Sequence, residues 1–376
     1  MTRSFSLYLL VILFFAGCQS KPKNFSDWYS DQREFPDAAK ENNPDPEQRI
    51  LYSSNFHLDT IYRSMMGPTE DQYFSLGEKG ELFWITGYKG TVLNPDSSVA
   101  AFDFMCHNNL NFDVPRTFPW KSRTFDRVNR VFTLTPGITD IQLPEGFGIP
   151  VPGDQKLKVT FQALNHNRPE LDSNFIHRIE ISYYRDEDLK TPLQALAQET
   201  VWMVKQYEGP PGKCGEEPLI QVSTHLSEED RRITQPNCGV DMLANNPQQN
   251  LDMYHDLYGR KFTGHWKIPP GVEELQMDVS DFMVMLPQNQ LHYIAAHVHP
   301  FCESLELINE STGQIVSRLN MQSADSGIGL IQVEDWSSTE GMALPEKDTY
   351  VLRSRYNNTS KDTLSAMSVM YLYFSE

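Results

Sequence analysis

The sequence predicts an all-β protein built from two tandem β-sandwiches, and three observations predict it. Short runs of strand composition recur along the whole chain, several alternating apolar and polar residues with period two. Polar turns with Pro or Gly separate these runs, and no regular alternation of strand and helix appears, which argues against a parallel α/β sheet. A length of 376 residues suits two sandwiches with their own cores better than one.

Taken in order, residues 1–18 read as a lipoprotein signal peptide. "MTRSFSLYLLVILFFAGCQS" has one arginine, an apolar run from Leu7 to Phe15, and then small residues before Cys18. The run is short for a bilayer span and has the flanks of an export signal. Phe15-Ala-Gly-Cys18 resembles a bacterial lipobox, in which the cysteine is lipidated and becomes the mature N-terminus. An ordinary signal peptide cut near Gly17 is the alternative. Residues 19–50 are polar and broken by proline, the composition of a flexible tether. These features predict a protein of the bacterial cell envelope, held to a membrane through a lipid anchor.

The predicted strands follow: 81–88, 99–107, 156–164 and 175–184 in the first half, then 272–286, 291–299, 303–309, 350–356 and 366–374 in the second. The best helix candidate is "TPLQALAQETVWMVKQ" at 191–206. The join between domains falls between about Tyr184 and Leu196, giving residues 51–190 and 191–376 as the two sandwiches. With 50 acidic against 32 basic residues the formal charge is −18, which excludes nucleic acid and anionic lipid surface as polymeric partners. Export implies an oxidising compartment, where four cysteines allow three connectivities. Cys214 with Cys238 is the preferred pair, both lying in a loop-like stretch. Cys106 and Cys302 are left as free thiols, metal ligands or a bridge.

The histidines carry the chemistry. His297 and His299 sit at i and i+2 of one predicted strand, so both imidazoles face one way and can meet one ion. Two hydrogen-bonded strand histidines are the bland equivalent. Imidazole suits copper, zinc, iron and nickel, and a soft third donor favours copper. Met367, in "TLSAMSVMYLYF", is by composition core filling and, if the pair holds an ion, a candidate thioether ligand. His107 in "FDFMCHNNLNF" and His166 in "VTFQALNHNRPE" each close a strand. His265 and His177 fall near apolar residues without a spacing that recruits them.

The succession of a strand-end histidine, a second one after "LPEGFGIPVPGDQKLKVTFQ", an H-x-H strand and a late methionine resembles the copper type II, ascorbate-dependent monooxygenases. The closest stretches are "LPEGFGIPVPGD", "AAHVHPFCESLELI" and "RYNNTSKDTLSAMSVMYLYF", and the resemblance runs from about Leu82 to Phe374. It implies two jelly-roll domains, each with one copper. One copper would pass electrons from ascorbate or another external reductant. The other would bind O₂ and hydroxylate a C–H bond of a small-molecule or peptide substrate. Carried over, His297 and His299 match the oxygen-binding site, with Met367 as its sulfur after a small register shift; an ungapped match instead reaches Leu364. His107 and His166 match the first site, where Cys106 stands in place of an adjacent histidine and is a possible further ligand. Ala295 occupies the place of the arginine that grips a peptide carboxylate in the peptide-hydroxylating members, so a carboxylate-anchored substrate is not expected here. A non-catalytic copper-binding envelope lipoprotein is the alternative.

Overall fold

The structure, a computed structural model, describes residues 42–64, 66–117, 127–206, 253–255, 261–280, 283 and 290–375. The signal peptide, Cys18 and the Cys214 and Cys238 pair lie outside these residues. Among them the protein is all-β, with two short 3-10 turns, at Phe102–Phe104 and Asp186–Asp188, as its only helical elements.

In the first half, a sheet runs through Glu47–Tyr52, Ser173–Arg185, Leu82–Leu93, Phe147–Pro152 and Gln194–Ala195. A second sheet runs through Thr69–Phe74, Leu157–Ala163, Met105–Thr117 and Arg127–Leu134. Strand Ser173–Arg185 alternates buried Phe175, His177, Ile179, Ile181 and Tyr183 with half-buried, mostly polar partners, as one core-facing side of an antiparallel strand requires. The sheets meet through rings: Tyr88 stacks on Phe132 at 5.9 Å and Phe104 on Phe175 at 4.0 Å. The result is a β-sandwich.

In the second half, Ala197–Trp202, Ser368–Ser375, Gln290–Val298 and Trp336–Ala343 form one sheet. Gly271–Asp278, Tyr350–Asn358, Cys302–Asn309, Gln314–Ser323 and Leu330–Val333 form another. Strand Ser368–Ser375 is buried along its entire length, because it lies centrally in its sheet and its outer face meets the first half. There the Tyr373 hydroxyl donates to the Val131 carbonyl at 2.8 Å. No strand pairing among the described residues crosses Leu196, yet residues 38–376 form one compact unit, because side chains weld the two sets of sheets.

Three expectations are corrected. Residues 191–206 are not helical: Gln194–Ala195 and Ala197–Trp202 are strands, the second paired with Ser368–Ser375. Thr200, Val201 and Trp202 favour extended backbone, and the open edge of the neighbouring sheet overrides the weak helical spacing. The tether ends earlier than its composition suggests. Glu47–Tyr52 pairs with Ser173–Arg185, and its polar side chains reflect an exposed edge rather than disorder. The bridge left open for Cys106 and Cys302 is not formed: both are buried, and Cys302 donates to the Ser304 carbonyl at 3.5 Å.

Candidate functional site

Strand Gln290–Val298 carries His297, and His299 follows directly after its end. The strand lies between Ser368–Ser375 and Trp336–Ala343, and its extended backbone turns His297 and His299 to one side. Both are buried, with ring centres 5.7 Å apart at 85°. The chain then turns sharply: Pro300 cannot continue the ladder, Phe301 adopts φ +72°, and the Cys302 amide returns to the His299 carbonyl at 3.4 Å. The Nδ1 of His299 lies 3.1 Å from the Ser365 carbonyl. A carbonyl only accepts, so this nitrogen carries the proton and Nε2 keeps its lone pair for an ion.

Register brings Met367 to the same place. His297 pairs with Val369 and Val298 with Ser368, and the His299 amide donates to the Met367 carbonyl at 3.2 Å. Directly opposed residues of an antiparallel pair project to one face, so Met367 shares the face of the two imidazoles. Met367 is buried, and the Tyr356 hydroxyl fixes its carbonyl at 2.6 Å. Leu364, the ungapped alternative, instead pairs with Ile268.

His265 is recruited by the same logic. Trp266 pairs with Ala366, which carries His265 opposite Met367, and the rings of His265 and His299 lie 5.3 Å apart. The Thr263 hydroxyl bonds to both the amide and the carbonyl of His265, bending the chain into the Trp266–Ile268 strand. Sequence spacing held no signal for this residue, since its position depends on a strand pairing about a hundred residues away.

The fourth ring comes from the first half. A register slip between Met105 and His107 leaves Cys106 as the extra residue of a bulge. Cys106 therefore faces a cavity wall while His107 points inward, its ring 6.2 Å from that of His297. His107 is completely buried, and neither of its ring nitrogens has a hydrogen-bond partner among the described residues. Behind it lies Arg130, buried and donating to Asn111 and Asn109 at 2.8 and 2.6 Å.

His166 sits elsewhere. It is half-buried and lines a cavity of about 30 Å³ together with Ser64, Cys106, His297 and His299. That volume holds on the order of two waters. The Ser64 hydroxyl lies 3.4 Å from the Nε2 of His166. No hydrogen bond or ring contact joins His107 to His166 among the described residues. His107 faces the inner cluster and His166 the cavity.

Burial keeps these rings neutral. Desolvation pushes His107 and His299 down to about 3, helped by Arg130 beside His107 and by His265 beside His299. His297 is held well below the usual imidazole range for the same reason. Desolvation and then Arg63 lower His166 to about 4. Neutral imidazole is the form that donates to a metal.

Two imidazoles sharing one ion at about 2 Å have ring centres roughly 5–6 Å apart. The separations along the series from His107 through His297 and His299 to His265 fall in or next to that range. As the side chains stand, no three His, Cys, Asp or Glu among the described residues already converge on one point, so closure on an ion requires ring rotation about χ1 and χ2. Imidazole donates to copper, zinc, iron and nickel, and a thioether favours reduced copper.

No family model matches the chain, and no curated protein matches it. Among solved structures, the chain is similar to PNGase F, a glycosylasparaginase from Flavobacterium meningosepticum. That match has 9% identity and a TM-score of 0.35, over 88% of this chain and 96% of that one. It is also similar to the STIV MCP, with 8% identity and a TM-score of 0.30, over 88% of this chain and 97% of that one.

Proposed function

We propose that this protein is a copper-dependent monooxygenase of the bacterial envelope, hydroxylating a C–H bond with O₂ and an external reductant such as ascorbate. His297, His299 and Met367 would hold the copper. The observation that carries this reading is the cross-strand register that faces Met367 toward the H-x-H pair. Bound there, copper supplies the one-electron and O₂ chemistry that side chains lack.

The chain's own residues supply the setting. The Ser365 carbonyl holds His299 in the tautomer that presents Nε2, and the Tyr356 hydroxyl anchors the backbone of Met367. The small cavity would admit O₂ or water beside His297 and His299. Ala295 is buried and offers no fork for a carboxylate, so the substrate is recognised without one.

A second reading, copper binding without turnover, is favoured by the 6.2 Å approach of the His107 and His297 rings. That approach brings a predicted electron-relay ligand up against the oxygen site instead of into a separate centre. Oxygen uptake under copper and ascorbate, measured for the wild type and His297→Ala across candidate substrates, separates the readings. Uptake coupled to substrate oxidation and lost in the variant supports the enzyme. Equal uptake in both proteins ends that reading.

A further inference from the structure

Four imidazoles lie in a row of pairwise ring contacts where the two sets of sheets touch. His297 lies at the end of Gln290–Val298 and His299 just past it, His265 just before Trp266–Ile268, and His107 at the bulge opening Met105–Thr117. We propose that His107 and His265 join His297, His299 and Met367 in one composite centre for a single soft, univalent metal ion. This rests on the metal-binding part of the reading above and not on its oxygen chemistry.

Three observations carry it. The ring centres form an unbroken series at 6.2, 5.7 and 5.3 Å, with no gap that divides the rings into separate pairs. His107 is fully buried with both nitrogens lacking a hydrogen-bond partner, and a buried polar atom so placed costs on the order of 1–3 kcal/mol unless something fills its lone pair. Finally, Trp266 pairs with Ala366, Val298 pairs with Ser368 and the His299 amide donates to the Met367 carbonyl, so two adjacent strand pairings bring the backbones of His265, Met367 and His299 side by side.

The charge of the ion follows from what surrounds the rings. None of the proposed donors is a carboxylate or a thiol, and the buried Arg130 guanidinium acts on both His107 and His297. The carboxylate lining the outer cavity, Asp103, faces Arg168 at 3.8 Å. A divalent ion would add two positive charges in a poorly solvated place without an anionic ligand, beside a guanidinium. A univalent ion adds one, and thioether with imidazole suits the soft univalent ions, reduced copper and silver.

Silver(I) tests this without oxygen chemistry, because it does not cycle under ascorbate. Titrated into the full chain and counted by native mass spectrometry, it should bind at one equivalent. Zinc(II) should bind at least 100-fold more weakly. His107→Gln and His265→Gln should each weaken silver binding tenfold or more, and His166→Gln less than twofold, with circular dichroism confirming that each variant folds. X-ray absorption on the silver-loaded wild type, which needs no variant, should count more than two imidazole nitrogens around the ion.

Two equivalents of silver, with His107→Gln removing only one, would overturn the composite centre. So would unchanged affinity in both glutamine variants, a two-imidazole coordination shell, or zinc binding as tight as silver. Silver binding as predicted, in a protein whose copper form consumes no oxygen, supports this inference and removes only the hydroxylase.

Discussion

His177 shows how a histidine in this protein serves the fold rather than the site. Its Nδ1 meets the Asn108 side-chain oxygen at 2.9 Å and its ring lies edge-on to Phe56 at 5.2 Å. Burial lowers it to about 4, partly offset by a hydrogen bond to the Phe104 backbone. The unfolded chain takes up this proton near pH 6.5, whereas the folded chain refuses it until about pH 4. The neutral ring therefore supports the fold fully above pH 6.5, and that support is lost as the pH falls through this window, at about 1.4 kcal/mol per unit. Chemical denaturation at pH 7 and pH 5 should show His177→Gln losing about 2 kcal/mol less than the wild type between the two. Equal losses would contradict the assignment. A buried carboxylate offers a second test. Glu306 is 1% exposed, accepts from the Arg353 Nε at 2.7 Å, and also pairs with Arg318. Arg353→Leu should cost about 3 kcal/mol in a denaturant melt, at the lower end for a broken buried pair because Arg318 remains. At this scale the sequence was partly legible. The i, i+2 spacing of His297 and His299 is local and could be read directly. The places of His265 and His107 depend on a distant strand pairing and on a bulge, and neither leaves a trace in nearby spacing.

Among the elements, the hairpin formed by Gln314–Ser323 and Leu330–Val333 has the clearest bearing on the site, because Ile328 and Gly329 of its loop line the cavity. A reciprocal pair of hydrogen bonds holds that loop to the first half. The Asn167 amide nitrogen donates to the Ile328 carbonyl at 2.9 Å, and the Ile328 amide donates back to Asn167 at 2.7 Å. Gly327 adopts φ +81°, and a Cβ there would come within 2.7 Å of the Asn167 side-chain oxygen. Gly327→Ala should therefore break the latch, and hydrogen exchange at the Ile328 amide should speed up about tenfold or more, as for the loss of one to two kcal/mol of local protection. Unchanged exchange would show that the loop is held some other way. Strands with a clean inward face, such as Ser173–Arg185 and Tyr350–Asn358, could be read from alternation alone. Ala197–Trp202 could not, because a strand buried on nearly every residue loses its period of two and resembles a helical segment. Glu47–Tyr52 was hidden for the opposite reason: an exposed edge strand carries the composition of a linker.

Across the whole molecule, the two sets of sheets behave as one body because their contact is a buried seam. Tyr373 donates to the Val131 carbonyl and stands 5.8 Å from the Phe132 ring, while Thr133 and Tyr371 share a hydrogen bond of 3.2 Å. Heating or denaturant should therefore unfold both halves in one transition, and Tyr373→Phe, which removes a buried hydrogen bond across the seam, should cost about 1–2 kcal/mol. Two resolved transitions in the wild type would contradict this. The two-sandwich class was legible because it follows from strand number and length. The seam was not, since its tyrosines read as ordinary core residues of one strand. The central claim is that one methionine sulfur and the H-x-H imidazoles face a common metal, and X-ray absorption on the reduced, copper-loaded protein tests it most directly. A sulfur neighbour of copper should appear in the wild type and in Met370→Leu, whose side chain belongs to the opposite face, and vanish in Met367→Leu. A wild-type spectrum without sulfur, or one whose sulfur survives Met367→Leu, would contradict the account.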